Sequence, residues 1–253
     1  MPGRTRVAAA SGGLSISVIL PNLNGAKHLQ AAIDSFVAQA HPHKELVVVD
    51  GMSSDGSHEI IAAACAAYPE VRWVRQADEG ISDAFIRGFG ACRGQVVGFL
   101  GSDDRLAPSI LEEVAGTFGM IDADAVWFNS YTWFVAEKRC DLRKPPVQEI
   151  TRSNLLAHGT LVGWQNIYYR RRVYDAHLPS RECRWAMDYE FLLRIADLGY
   201  LFVYVDDVAS VNLMDTGTVA GSNISSDLDG RQYRESCAIA AAYADGVTTP
   251  IFR

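Results

Sequence analysis

SISVILPNLNGAKHLQAAIDSFVAQAHPHKELVVVD, residues 15–50, decides how the chain folds. It opens on an apolar run, SISVIL (15–20), and closes on another, ELVVVD (45–50); between them, residues 26–39 carry apolar side chains at three- and four-residue spacing. A strand that is apolar throughout is buried on both faces, and a helical stretch between two such strands makes a βαβ unit, so the strands lie parallel beneath covering helices. The pattern then repeats. A helix is expected over 57–67, a short strand at VRWVRQ (71–76), a helix within 81–92 and a strand at QVVGFL (95–100). From about residue 120 aromatic segments take over, AVWFNSYTWF (125–134) and QNIYYRR (165–171), followed by a helix at DYEFLLRIADL (188–198) and a strand at YLFVYV (200–205). These read as a mixed sheet continuing the first. The small and polar residues of 212–227 predict a mobile loop, and a last helix covers about 228–243. The expected fold class is α/β: a Rossmann-like three-layer α/β/α arrangement with a mostly parallel mixed sheet. Residues 1–13 are expected to be a flexible tail, 14–227 a single domain with halves at 14–119 and 120–227, and 228–253 a C-terminal helix and tail.

Bulk properties narrow the partners. At 253 residues, 49% hydrophobic and 21% charged, the chain has the composition of a soluble protein with a proper core. A net charge of -7 argues against a nucleic-acid partner, and the triplet Arg170–Arg172 reads as a solvated surface. The five cysteines show no paired spacing and predict reduced thiols in a cytosolic protein. The N-terminal MPGRTRVAAASGGL (1–14) has too short an apolar stretch for a signal peptide, and no segment reaches the ~18 apolar residues of a membrane span.

In open parallel sheets, ligands bind outside the carboxyl ends of the strands, where strand order reverses. Asp50 ends one predicted strand, Asp78 follows the next, and Asp103 with Asp104 follows the fourth, so carboxylates gather on one edge. Asp55, in SSDGS, reads instead as a helix cap. Gathered carboxylates repel unless a cation is present; all-oxygen ligation favours Mg²⁺ or Mn²⁺, and such an ion implies a phosphate-bearing ligand. In an extended segment Asp103 and Asp104 would point to opposite sides, one to the ion and the other to a sugar.

SVILPNLNG (17–25), ELVVVDGMSSDGS (45–57), DEGISDAFIRGFGACRGQVVGFLGSDD (78–104), HGTLVGWQNIYYRR (158–171) and MDYEFLLR (187–194), in this order, resemble the family 2 inverting glycosyltransferases with the A-type nucleotide-sugar-binding fold, in the style of bacterial polysaccharide and glycolipid enzymes. The resemblance makes 14–119 the nucleotide-sugar-binding half and 120–227 the acceptor-binding half. It implies that Pro21 and Asn22 line the base pocket, where the family often has Thr in place of Asn22, and that Asp50 accepts a hydrogen bond from the nucleobase. It further implies that Asp78 and Asp83 lie beside the nucleotide, that Arg87 contacts diphosphate or base, that Asp103 binds the ribose hydroxyls and that Asp104 binds the metal.

An inverting transfer also needs a general base for the acceptor hydroxyl. Within DYEFLLRIADL, Met187, Phe191, Leu192, Ile195 and Leu198 define an apolar face that includes Asp188, whereas Glu190 falls outside it with its i,i+4 partner Arg194. Asp188 is therefore the expected base, with capping of the helix start as the competing role. The family more often shows Glu directly before this acid, where the chain has Met187. His158 is a candidate contact to acceptor or diphosphate, and Trp164, Trp185 and Tyr189 are candidates for stacking on sugar rings or for core packing. GFGACRG (88–94) mimics a dinucleotide fingerprint, but it ends a helix and precedes a strand, and Gly94 reads as the helix stop.

The expected activity is metal-dependent, inverting transfer of a sugar from a nucleoside diphosphate sugar, UDP-sugar favoured, to a hydroxyl of a glycan or lipid-linked acceptor. An inactive nucleotide-sugar-binding module is the first alternative. A sugar nucleotidylyltransferase is the second; it would need a Gly-rich basic loop where the chain has PNLNGAKHL (21–29). The resemblance implies a cytoplasmic location, with peripheral contact at the inner membrane face and the oligomeric state both left open.

Overall fold

The structure, a computed structural model, describes residues 13–215 and 230–244. The described residues form one nine-stranded sheet with strand order β3-β2-β1-β4-β8-β6-β9-β5, and β7 pairs with β6. The first four strands, β1 (Ile16–Asn22), β2 (Lys44–Asp50), β3 (Val71–Arg75) and β4 (Val96–Phe99), are all parallel. Helices α1 (Ala26–Val37), α2 (Ser57–Ala67) and α3 (Ile81–Ala91) connect them. Because β2 and β4 flank β1 on either side, strand order reverses between β1 and β4.

Strand alternation explains the three layers. Ile16, Val18 and Leu20 of β1, with Leu46 and Val48 of β2, face a core completed by α1, α2 and α4 (Ile110–Met120). Ile19, Val47 and Val49 face the opposite core, built on α3, α6 (Arg171–Ala176) and α7 (Met187–Ile195). Helix α1 contributes Leu29, Ala32, Ile33 and Phe36, an i, i+3, i+4, i+7 stripe that is fully buried. Asp55 ties two helix starts together: its carboxylate accepts from Ser57 N–H at 3.1 Å and from Ala26 N–H at 2.8 Å.

The second half is the expected mixed continuation. β8 (Ile167–Arg170) runs antiparallel to β4, and β6 (Ala125–Phe134) antiparallel to β8. β7 (Arg139–Arg143) forms a hairpin with β6, α5 (Arg152–His158) leads to a 3-10 turn at Trp164–Asn166, and α8 (Arg231–Ala244) closes the described chain. β9 (Phe202–Met214) lies parallel to β6 and carries the two-residue β5 (Arg105–Leu106) on its other edge.

Three expectations are corrected here. The strand predicted at 200–205 continues to Met214, so Asn212, Leu213 and Met214, assigned to a mobile loop, pair with Thr132, Trp133 and Phe134. Its middle is polar, but Ser210 is satisfied by Asn166 and Asn212 at 2.7 Å each, a form of strand burial that apolar patterning does not reveal. The rest of that loop from 216 to 227 lies outside the described residues, as do 228 and 229 at the start of the expected last helix and residues 1–12 of the expected tail. Gly94 is not the helix stop: α3 ends at Ala91 on an extended Cys92. Gly94 is required because a Cβ there would lie 2.5 Å from the Ser17 amide nitrogen, and its N–H donates to Ser17 Oγ at 2.7 Å. Leu198 falls beyond the end of α7 and is exposed. No helix among the described residues is long and apolar enough to cross a membrane.

Candidate active site

A cavity of about 390 Å³ opens at the point where strand order reverses. Pro21 and Asn22 line it from the end of β1, Asp78 from the loop after β3, Asp103 and Asp104 from the turn after β4, and Asp188 from the first turn of α7. Side chains that are far apart in sequence thus share one space.

The acidic turn differs from the extended geometry expected. Asp104 N–H donates to Gly101 O at 3.1 Å, closing a tight turn, and both carboxylates fold back over Gly101. A Cβ at Gly101 would lie 2.7 Å from Asp104 Oδ2 and 3.1 Å from Asp103 Oδ1. The pair therefore shares one side of the turn instead of pointing apart. Burial, reinforced by the neighbouring Asp103, pushes the Asp104 carboxyl up to about 8, against a hydrogen bond from Leu213 N–H at 3.0 Å. Burial raises Asp103 as well, while the positive fields of His28 and Arg105 pull it down. Asp78 is raised chiefly by burial and accepts from Gly80 N–H at 3.0 Å.

Asp50, Asp83 and Arg87 do not line the cavity. Asp50 is fully enclosed at the end of β2, where Asn22 Nδ2 donates to it at 3.0 Å and Ser53 Oγ at 2.5 Å. Asp83, also enclosed, is held between Arg87 and Arg181 at 2.7 Å each. These residues brace the loops behind the cavity wall. His158 ends α5, is exposed and lines no part of the cavity.

Among the aromatics, Trp164 and Trp185 line the cavity. Trp164 is also core: its indole N–H donates to Tyr174 Oη at 2.8 Å, and its ring packs on Phe85 at 4.8 Å and Phe191 at 5.7 Å. Tyr189 is buried, with its hydroxyl on Leu155 O at 3.1 Å.

Burial raises the Asp188 carboxyl to about 6, opposed by the Tyr189 N–H at 2.8 Å and aided by the negative charge of Glu235. Asp188 does not cap α7, since the N-cap position is Ala186. Glu190 does pair with Arg194, at 3.0 Å, but the pair is buried, not solvated, because α8 covers it and Tyr243 Oη donates to Glu190 at 2.9 Å. Two further residues escaped sequence reasoning, Gln232 on the cavity wall and Glu235 at the start of α7. Glu235 lies 50 residues from Trp185, which it contacts, and no local pattern signals such a contact. It brings a carboxylate to the turn where Met187 supplies none.

The structure has the glycosyltransferase A-type fold. It superposes on S. aureus TarS 1–349 in complex with UDP-GlcNAc with a TM-score of 0.71 at 18% identity, over 93% of this chain and 68% of that one. The mannosyltransferase PcManGT from Pyrobaculum calidifontis, solved with GDP-Man and Mn²⁺, gives 0.66 at 18% identity, over 94% and 66%. An uncharacterized glycosyltransferase of Nostoc sp. is 32% identical over 181 residues, which is 68% of this chain and 56% of that relative's length. The family model for glycosyl transferase family 2 matches residues 17–178, from β1 through the acidic turn to just past α6, and the chain belongs to that family.

Proposed function

We propose that the chain transfers a sugar from a nucleoside diphosphate sugar, a UDP-sugar in preference, to a hydroxyl of a glycan or lipid-linked acceptor, with inversion and with a divalent cation. The observation that carries this reading is the convergence of the acidic turn and Asp188 on one cavity at the reversal of strand order.

The cavity residues divide the work. Pro21, Asn22 and Asp78 form the nucleotide end, with Asp50, Asp83 and Arg87 fixing the loops that shape it. Asp103 and Asp104 fit a hard cation: a half-buried and a buried carboxylate over one glycine, the latter with its pKa pushed to about 8, form a pair that a divalent ion would relieve. Asp103 and Asp104 would supply the one or two carboxylates with which such sites hold Mg²⁺ or Mn²⁺ together with ligand phosphates. When bound, the ion neutralises charge developing on the leaving diphosphate. Asp188, poised at about 6, is ionised at neutral pH yet basic enough to take the acceptor proton as the hydroxyl attacks. The related structures with UDP-GlcNAc and with GDP-Man and Mn²⁺ support the donor class and the ion. Trp185, on the cavity wall, offers an aromatic surface to the acceptor sugar.

The test is a thermal-shift series against UDP- and GDP-sugars with and without Mn²⁺, since stabilisation follows ligand affinity. A UDP-sugar is expected to stabilise the protein only when Mn²⁺ is present. Stabilisation that persists unchanged in chelator would overturn the metal assignment, and the absence of any shift with every donor would overturn the donor assignment.

A further inference from the structure

Helix α7 carries Asp188 but has no side-chain cap of its own, since Ala186 occupies the N-cap position. The backbone N–H groups leading into the helix are met from α8. Glu235 Oε2 accepts from Trp185 N–H at 2.6 Å and Ala186 N–H at 2.7 Å, and Oε1 accepts from Arg184 N–H at 3.1 Å. The Cys183 thiol also reaches Oε2, at 3.4 Å. Three consecutive N–H groups on one carboxylate make a fixed anchor, and a negative group at a helix start is aligned with the helix dipole.

Asp188 follows the last of these N–H groups by two residues, so any rotation of this turn redirects its carboxylate. Helix α8 holds the same region at other points. Arg231 lies over the Trp185 ring at 5.3 Å, Gln232 lines the cavity, and Tyr243 donates to Glu190.

We propose that Glu235 is the positioning residue for Asp188, and that α8 is thereby a working part of the transfer site, not an appendage to it. The proposal rests on the reading of Asp188 as general base. Around this turn the other charged or titratable groups include Cys183 and Arg184 ahead of α7, Tyr189 and the paired Glu190 and Arg194 on it, Arg231 and Tyr243 on α8 and Tyr169 on β8. Of these, none bonds the N–H groups entering the helix as Glu235 does; Ser82 Oγ, from α3, holds the Cys183 carbonyl just before them at 2.5 Å.

The test compares Glu235→Ala, Glu235→Gln and Asp188→Asn in the full chain, using Mn²⁺ and the donor selected by the thermal-shift series. Glu235→Ala is expected to lower kcat about 10-fold or more while donor Kd stays within about 2-fold, because the donor end of the cavity is untouched. Glu235→Gln keeps one oxygen for the Trp185 and Ala186 N–H groups and is expected to restore most of kcat. With the negative charge gone, its acid limb in kcat/KM moves to lower pH. An unchanged kcat in Glu235→Ala, no rescue by Gln, or an acid limb that stays in place would each overturn the positioning role. The base reading fails separately, if Asp188→Asn turns over normally.

Discussion

Asp104 and Asp188 reach the same cavity, and the chain holds them by opposite means. Asp104 sits in a four-residue turn at the end of a parallel strand, closed by its own N–H on Gly101 O and completed by a single N–H from Leu213. Asp188 sits on a nine-residue helix whose entry is fastened by a residue of α8. Burial is the principal cause of the raised pKa at both, but at Asp104 the second contribution is the adjacent Asp103, whereas at Asp188 it is a carboxylate from a distant helix. A group closed by its own turn depends on one long-range contact, here the Leu213 N–H, whereas a group whose helix entry is fastened from a distant helix inherits every change in that helix.

The largest effect expected, and the sharpest test of the contrast, is Asp188→Asn. Turnover should fall about 10²- to 10⁴-fold, the usual contribution of a general base, with donor Kd within about 2-fold by calorimetry. The same substitution should raise Tm at pH 7.5. The folded-state pKa of Asp188 is raised to about 6, so the native protein binds this proton more tightly than the unfolded chain and loses stability as pH rises through that range. The Tm advantage of the Asn variant should therefore shrink as pH falls toward 4, and an advantage independent of pH would remove burial of the charge as its cause.

Asp104→Ala should reverse the pattern, weakening Mn²⁺-dependent donor binding about 100-fold, or ~2.7 kcal/mol. If calorimetry shows equal losses of binding in both variants, the two carboxylates do not have separate roles. Gly101→Ala should produce a smaller loss of the same kind, about 10-fold in donor affinity, because the added methyl displaces both carboxylates. A loss in kcat alone would contradict that account. The smallest effect is expected from Tyr243→Phe, which removes the hydroxyl from the buried Glu190 and should lower stability by ~1 kcal/mol in urea unfolding. Donor affinity unchanged in that variant would confirm that α8 acts on α7 and not on the acidic turn.

The same contrast decides what the sequence discloses. Strands β1, β2 and β4, and the carboxylates at the ends of β2 and β4, are legible because each strand is an apolar run and the acids follow directly; β3, VRWVR, is a half-buried edge strand whose place follows from the repeat around it. Asp188 is legible because an acid on the apolar face of a helix is anomalous. The backward fold of Asp103 and Asp104 is not, since a turn and an extended strand end share the residues Gly-Ser-Asp-Asp. Neither is the burial of Glu190, because helical periodicity reports which side a residue takes and not whether a later helix covers that side. The polar interior of β9 escapes for a related reason: Ser210 and Asn212 are accommodated by hydrogen bonds to Asn166 and Ser130, and these depend on neighbours in space.

Strand β9 also bears on how relatives of this chain can be recombined. It begins beside β6 in the aromatic half, delivers the Leu213 N–H to Asp104, and is followed directly by Asp215, which binds Lys27 at 2.5 Å and His28 at 3.1 Å on α1. A chimera joined at the midpoint of the sequence would give the acidic turn a foreign strand for its lid and α1 a foreign anion. Grafting a new donor specificity onto this scaffold requires 202–215 to travel with residues 14–119, although more than 80 residues of chain separate the two pieces.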